Sequence, residues 1–528
     1  MSSRPTLEGI QDYNAHWCAS NYLSEIRIPA TQLQLLTRSK QELVGVPQQT
    51  DWHKIHAHSN RVQKLSFGYQ RYTDTGAIYR VAWAALAAFG RYVRRRPGGP
   101  VGPLCLNLRA LHVEYYDRRK FYVTECFPYI AGRALQELHL HCDGDPDGTT
   151  PGDILELSRV MPLLFSTSPN LQYISIRDTR EHPNHDVCLG AGTLLGKLRH
   201  LRHFATSMTL EKQHIAYLAA MPKLTNLSLA LFMNLAENPF LSNNLAISPP
   251  FQALDTLVLD VKHLELATGC LKLLETPTLR KLGITTYMWQ DDSTIERCFH
   301  AVAKQEFIRE LTVCVASNAA GLLPTMAVQG QCNMNVRSIS TLFSLSHLQS
   351  LSLHALDKAR FETDLDDSGV IAMAEAWPQL HSLTIVQGSF APRHMQLPPA
   401  RTTMGSLLAL RDHCPHLAGL SISLDTTDFD IPVLEAACAQ DQSAGAALRK
   451  LNIGTRSSPV SNHSVAAQIL HGLFPNLRNI HDGTSVAWDQ QSSDWQEVGA
   501  ILRKLTQTPL PPDEELDFVM DWDEDVAA

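Results

Sequence analysis

Stretches of the form L-x-x-L-x-[LIV] return fourteen times along this 528-residue chain. Eleven copies are clear: Leu108/Leu111/Val113, Leu135/Leu138/Leu140, Leu171/Ile174/Ile176, Leu224/Leu227/Leu229, Leu254/Leu257/Leu259, Leu279/Leu282/Ile284, Ile308/Leu311/Val313, Leu348/Leu351/Leu353, Leu380/Leu383/Ile385, Leu417/Leu420/Ile422 and Leu448/Leu451/Ile453. Three are weaker: Val62/Leu65/Phe67, Leu201/Phe204 and Leu477/Ile480. Their first positions lie 23 to 46 residues apart. The closing apolar pair of each hexad alternates as a short strand does, and the intervals hold helical patterns such as 369–377, 406–413 and 465–473. One such unit cannot bury its own apolar face, but stacking unit on unit joins the leucines into a continuous core.

A second periodic signal marks where each strand starts. Proline stands two residues before the first hexad position in Ser168-Pro169-Asn170-Leu171, Met221-Pro222-Lys223-Leu224, Thr276-Pro277-Thr278-Leu279, Trp377-Pro378-Gln379-Leu380, Cys414-Pro415-His416-Leu417 and Phe474-Pro475-Asn476-Leu477. Proline cannot continue a helix and biases its predecessor toward extended backbone, so it ends one element and launches the next at a fixed offset. The fold expected is an α/β leucine-rich-repeat solenoid, a curved right-handed horseshoe with irregular repeats and a parallel sheet on its concave side. A doubly wound α/β sheet would show unrelated strands instead of one repeated hexad. Leu227, Leu257 and Leu351 should be fully buried.

The expected organisation is a leading segment over 1–60, repeats over 61–485, a capping helix within 486–510 and an acidic tail over 511–528. In the cap, Trp495, Val498, Ile501, Leu502 and Leu505 are expected on one helical face, over the last repeat. The tail holds eight acids between Asp513 and Ala528 and no base, which accounts for the whole formal charge of -8 and leaves a neutral body. Arg94-Arg95-Arg96, the one basic run, reads as a helix C-terminus, so no nucleic-acid partner is expected. Eleven cysteines are scattered singly without a C-x-x-C pair, as suits a reducing compartment. The first thirty residues lack a signal-peptide pattern, and no apolar run approaches the roughly 20 residues of a membrane span. A cytoplasmic or nuclear location and no membrane partner are expected.

The C-P-x-L and F-P-x-L joints resemble those of F-box/leucine-rich-repeat proteins. The stretch Thr50-Asp51-Trp52-His53-Lys54, followed by Asn60-Arg61-Val62-Gln63-Lys64-Leu65, is similar to the segment joining F-box to repeats in the type abundant in mushroom-forming fungi. The resemblance implies repeats that recruit a substrate protein and an F-box that docks on the Skp1 adaptor of a cullin-RING ubiquitin ligase. Nothing in Met1–Gln49 matches an F-box: Tyr22-Leu23-Ser24-Glu25-Ile26 lacks the proline of L-P-x-E-[IL]. Skp1 is therefore expected as a partner only through a divergent box.

No constellation of reactive residues survives its bland counterpart. Asp143-Gly144-Asp145-Pro146-Asp147-Gly148 opens like a calcium loop, but its twelfth position is Ile154 where a bidentate Glu is needed, so it reads as an acidic turn. His182-x-x-His185-x-x-Cys188 and His139-x-His141-Cys142 contain zinc-ligand types without a second half-site. Cys414 beside His413 reads as core packing at a joint. The expectation is a non-catalytic chain with no cofactor and no metal. Strand alternation instead points to a protein-binding face: if the hexad leucines point inward, His112, Glu114, Glu137, His139, His141, Tyr173 and Arg177 point outward. In later units the outward residues are small, as at Ser350, Ser352, Ser382, Thr384, Gly419, Ser421 and Ser423, and small residues seldom anchor a partner.

Overall fold

Every one of the fourteen hexads carries a strand in the computed structural model. The structure describes residues 63–67, 105–115, 132–142, 161–178 without 163, 195–231 without 209, 250–274, 278–287, 291–316, 331–356, 360–386, 400–427, 432, 434, 436, 447–454, 457, 460–482 and 494–506. The 1–60 segment, Arg94-Arg95-Arg96, the 143–154 loop, His182, His185, Cys188, Pro277 and the acidic tail all lie outside them. The chain divides into two units, residues 1–227 and 228–528.

In the first unit the strands are β1 (Lys64–Phe67), β2 (Ala110–Tyr115), β3 (Glu137–Cys142), β4 (Tyr173–Asp178) and β5 (His203–Thr206). Each pairs in parallel with the next in chain order. Helix α1 (Lys212–Ala219) follows, and β6 (Asn226–Leu231) contains the division between units.

The second unit repeats the plan with β7 (Thr256–Val261), β8 (Lys281–Thr286), β9 (Glu310–Ala316), β11 (Ser350–Leu356), β13 (Ser382–Val386), β14 (Gly419–Ile422), β15 (Lys450–Ile453) and β16 (Asn479–Asp482). These too are parallel and neighbour one another in chain order. The helices returning the chain include α2 (Leu264–Leu273), α3 (Asp292–Ala303), α4 (Val336–Ser340), α5 (Asp367–Ala376), α6 (Met404–His413) and α7 (His463–Leu473). Both units are thus built as α/β leucine-rich-repeat solenoids.

Two features explain why the sequence folds this way. First, the hexad leucines fill the core. Leu227 is 2 % exposed and Leu257 and Leu351 are 0 %. The residue before five of the six joint prolines is buried as well: Ser168, Met221, Trp377, Cys414 and Phe474. Its carbonyl accepts a hydrogen bond from the hexad's first N–H at 3.1 Å in Trp377/Leu380 and Cys414/Leu417 and at 3.0 Å in Phe474/Leu477. Second, one carbonyl per repeat accepts two N–H groups from the repeat that follows. Arg109 O receives Gln136 N and Glu137 N at 2.8 and 2.9 Å, and Gln349 O receives His381 N and Ser382 N at 2.7 and 3.1 Å. The same shared acceptor recurs at Gln136, Gln172, Arg280, Arg309, His381, Ala418 and Arg449.

Helix starts carry side-chain caps as the residue types dictate. Asp291 accepts from Thr294 N at 2.7 Å, Asp366 from Gly369 N at 2.9 Å and Asn462 from Val465 N at 3.1 Å. Phe251 departs from the other joint residues: it is buried with φ 56°, in the left-handed region that costs a residue with Cβ about 1–2 kcal/mol.

Three elements depart from the sequence reading. Strands β10 (Gln331–Met334) and β12 (Arg360–Thr363) pair in parallel in a separate two-stranded sheet of the second unit. They lie just before the N-caps of α4 and α5 and lack any apolar hexad. The last helix, α8 (Asp494–Thr506), buries Trp495, Val498, Gly499 and Leu502, whereas Ile501 is half-buried and Leu505 is 38 % exposed. Its inward stripe follows i, i+3, i+4, i+7 from Trp495, which leaves Ile501 on the flank and Leu505 in the final, departing turn. It packs on α7 and β16, and His463 lies between Asp494 Oδ1 (3.4 Å) and Glu497 Oε2 (3.3 Å).

Candidate protein-binding face

Strand pleating turns alternate residues of β2 to β5 away from the leucine core, and the parallel register sets them in rows. Glu137, Tyr173 and His203 share one row; His112 and His139 share the next; Glu114, His141 and Arg177 share the third. The rings close into a ladder across four strands. His112 stacks on His139 with centroids 3.9 Å apart and planes 12° apart. His139 stacks diagonally on Tyr173 at 4.4 Å, and Tyr173 on His203 at 4.0 Å and 5°. All four are half-buried; the inner rings His139 and Tyr173 are stacked on both faces, and the end rings His112 and His203 on one.

Electrostatics follow from that packing. Burial strips water from His139 and holds its pKa down to about 3, with His112, His203 and Arg177 adding like-charge repulsion. Burial likewise lowers His203 to about 4, helped by Arg177. His112 is lowered by burial too, with Glu137 opposing and Lys64 assisting. Near neutral pH the ladder is an uncharged aromatic strip bordered by Glu137, Arg177 and Lys64. Such a strip suits stacking and hydrogen bonding to a partner's side chains, because rigid rings lose little entropy on contact.

Of the seven residues expected to face outward, His112, Glu137, His139 and Tyr173 are brought together. His141 and Arg177 form the adjoining row, half-buried. Glu114 pairs with His141 through the backbone, and its side chain lies outside the described residues. His203 completes the ladder but was not among the sequence candidates. Its signal was available: it holds the outward position before Phe204 in the weak hexad Leu201/Phe204, the position Tyr173 holds before Ile174. One potential ligand group also appears among the described residues: His112, Glu137 and His139 offer donor atoms that all lie within 4.8 Å of one another.

The second unit's strands present a different surface. Ser350, Ser352, Ser382, Thr384, Gly419 and Ser421 are half-buried outward residues, and Lys281 meets Glu310 at 2.9 Å. Ser423, expected outward, is 3 % exposed. Strand β14 ends at Ile422, so Ser423 turns inward, where its carbonyl accepts from Thr402 Oγ1 and its side chain lies against Gly454. A Cβ at Gly454 would come within 2.1 Å of Ser423 Oγ. Cys414 is buried with its thiol 3.6 Å from Trp377 O, and burial pushes its pKa up to about 11, while His413 is exposed. The pair is a core residue and a surface residue, as the joint pattern implies.

No family profile and no curated protein matches this sequence. Among solved structures, the chain is similar to the leucine-rich repeat-containing protein LegL7 of Legionella pneumophila, at 11% identity and TM-score 0.30 over 76% of this chain and 98% of that one. It is similar to the LRR protein LIC12759 of Leptospira interrogans at 12% identity and TM-score 0.31, covering 70% of this chain and 82% of that one. A chain of the yeast Rad7 and Elc1 complex matches at 14% identity and TM-score 0.32, covering 78% and 90%.

Proposed function

We propose that the chain is a non-catalytic protein-interaction scaffold whose docking surface is the outward face of β2 to β5. The four-ring ladder carries this reading: aromatic, His and Arg side chains are concentrated on one solvent-facing strip of a rigid parallel sheet. Hot spots favour such residues over the Ser and Thr of the second unit. Supporting a non-catalytic role, the five cysteines whose side chains are described, Cys105, Cys270, Cys298, Cys314 and Cys414, are all buried. No described helix is long and apolar enough to cross a membrane.

The finer reading is a substrate-recognition subunit of an SCF-type ubiquitin ligase, supported by the resemblance around Trp52 and Arg61 and by the joint prolines. The alternative is a free-standing leucine-rich-repeat regulator, of sensor or GTPase-activating type, supported by the lack of an F-box match in Met1–Gln49. Co-expression with Skp1 separates them: a stable complex favours the adaptor, and its failure the regulator. The docking face is tested by comparing proteins captured by the wild type with those captured by Tyr173→Ala. Selective loss of specific partners is expected, and an unchanged set would overturn the assignment of the face.

A further inference from the structure

We propose that His112, Glu137 and His139 form a divalent transition-metal site that takes Zn2+ on the outward face of β2 and β3. This stands independently of whether the same face docks a protein. Two observations carry it. The donor atoms of the three side chains already lie within 4.8 Å of one another. The frame that holds them is fixed, because His112 and His139 are register partners on adjacent parallel strands and Glu137 is two residues before His139 on the same face. The His112 and His139 rings lie stacked at 3.9 Å with planes 12° apart, so their in-plane lone pairs run side by side, and an ion held by both must open that stack.

Tetrahedral zinc with bonds of about 2.0–2.1 Å needs donors separated by about 3.3 Å. The required closure is therefore about 1.5 Å at most between any two atoms, and the two imidazoles must also turn out of their stack, which the broad χ2 torsion of histidine and the flexible stem of Glu137 permit. Two imidazoles and one carboxylate suit Zn2+ and its transition-metal neighbours, whereas Ca2+ and Mg2+ want shells dominated by oxygen. Arg177 and Lys64 repel a cation at this site, and Glu137 supplies the compensating charge. Three protein ligands leave the fourth tetrahedral position open toward solvent, where water or a carboxylate or imidazole from a partner completes the shell. Loading would add two positive charges to a strip that is otherwise neutral along its rings.

The test uses the full chain stripped of metal and titrated with Zn2+ against a chromophoric chelator, with Co2+ as a spectroscopic substitute. Because the chain holds 23 histidines, the background is set by the double variant Glu137→Gln, His139→Ala. The control is His381→Ala, His416→Ala, which removes another stacked pair (5.5 Å) that has no place in the ligand group. The expected result is one equivalent bound at least about tenfold more tightly by the wild type and the control than by the double variant, since even outer-shell losses cost 10–100-fold. Co2+ should show four-coordinate absorption that Glu137→Gln alone, which preserves shape, diminishes. Equal zinc affinity in the wild type and the double variant, with circular dichroism unchanged, overturns the proposal.

Discussion

The two units share one frame and present opposite surfaces. In both, a carbonyl from one repeat takes two N–H groups from the next, and hexad leucines fill the interior. On the first unit's β2 to β5, the outward rows hold His112, His139, Tyr173 and His203, which stack. On the second unit's β11, β13 and β14, the same rows hold Ser, Thr and Gly. The difference shows that architecture and surface chemistry are specified by separate residue sets. Alternation lets the inward set stay leucine-rich while the outward set changes wholly.

The comparison breaks first if the frames are not equivalent. Leu138→Ala in the first unit and Leu351→Ala in the second, both at 0 % exposed sites, should each cost about 2–5 kcal/mol by creating a cavity in a closed core. Denaturant melts of the two variants measure this, and a cost confined to one unit would mean the units are built differently.

A second test uses acid. His354 is 2 % exposed, and burial lowers its pKa to about 4 from the ordinary 6.5. Between these values the unfolded chain binds more protons than the folded one, so stability falls as pH drops from about 6.5 toward 4. The full loss is on the order of 3 kcal/mol. His354→Leu should flatten that part of the stability–pH curve, and an unchanged slope would show that His354 is not its source.

The docking contrast predicts a smaller effect. Tyr173→Ala should weaken partner binding by about 1–2 kcal/mol or more, whereas Ser382→Ala should change it little, as titration calorimetry with an isolated partner would show. Equal losses would place the partner across both faces. The smallest effect is at Lys281 and Glu310: both side chains are about half exposed, so a double-mutant cycle should return less than about 1 kcal/mol.

Much of this was legible in the sequence. Leucine spacing located all fourteen repeat strands, and apolar patterns located α5, α6 and α7 to within about two residues. Strands β10 and β12 were not visible, because Gln331–Met334 and Arg360–Thr363 pair in a sheet of their own and carry no apolar hexad to advertise them. Alternation identified most of the ladder. It could not show that His112 and His139 touch: 27 residues apart, they become neighbours only through strand register. For the same reason, spacing gave no metal reading to His182-x-x-His185-x-x-Cys188 or His139-x-His141-Cys142, whereas the three donors within 4.8 Å of one another come from two strands.

The shared carbonyl acceptors have a consequence for how such a chain can change over generations. Each repeat is seated on its predecessor by main-chain groups that every residue but proline can supply, so the seating does not depend on what lies between one strand and the next. Lengthening or shortening an intervening segment leaves the junction intact, which is consistent with spacings that range from 23 to 46 residues. A lineage can therefore lengthen one interval or exchange the outward residues of one strand without renegotiating the rest, and divergence can proceed strand by strand.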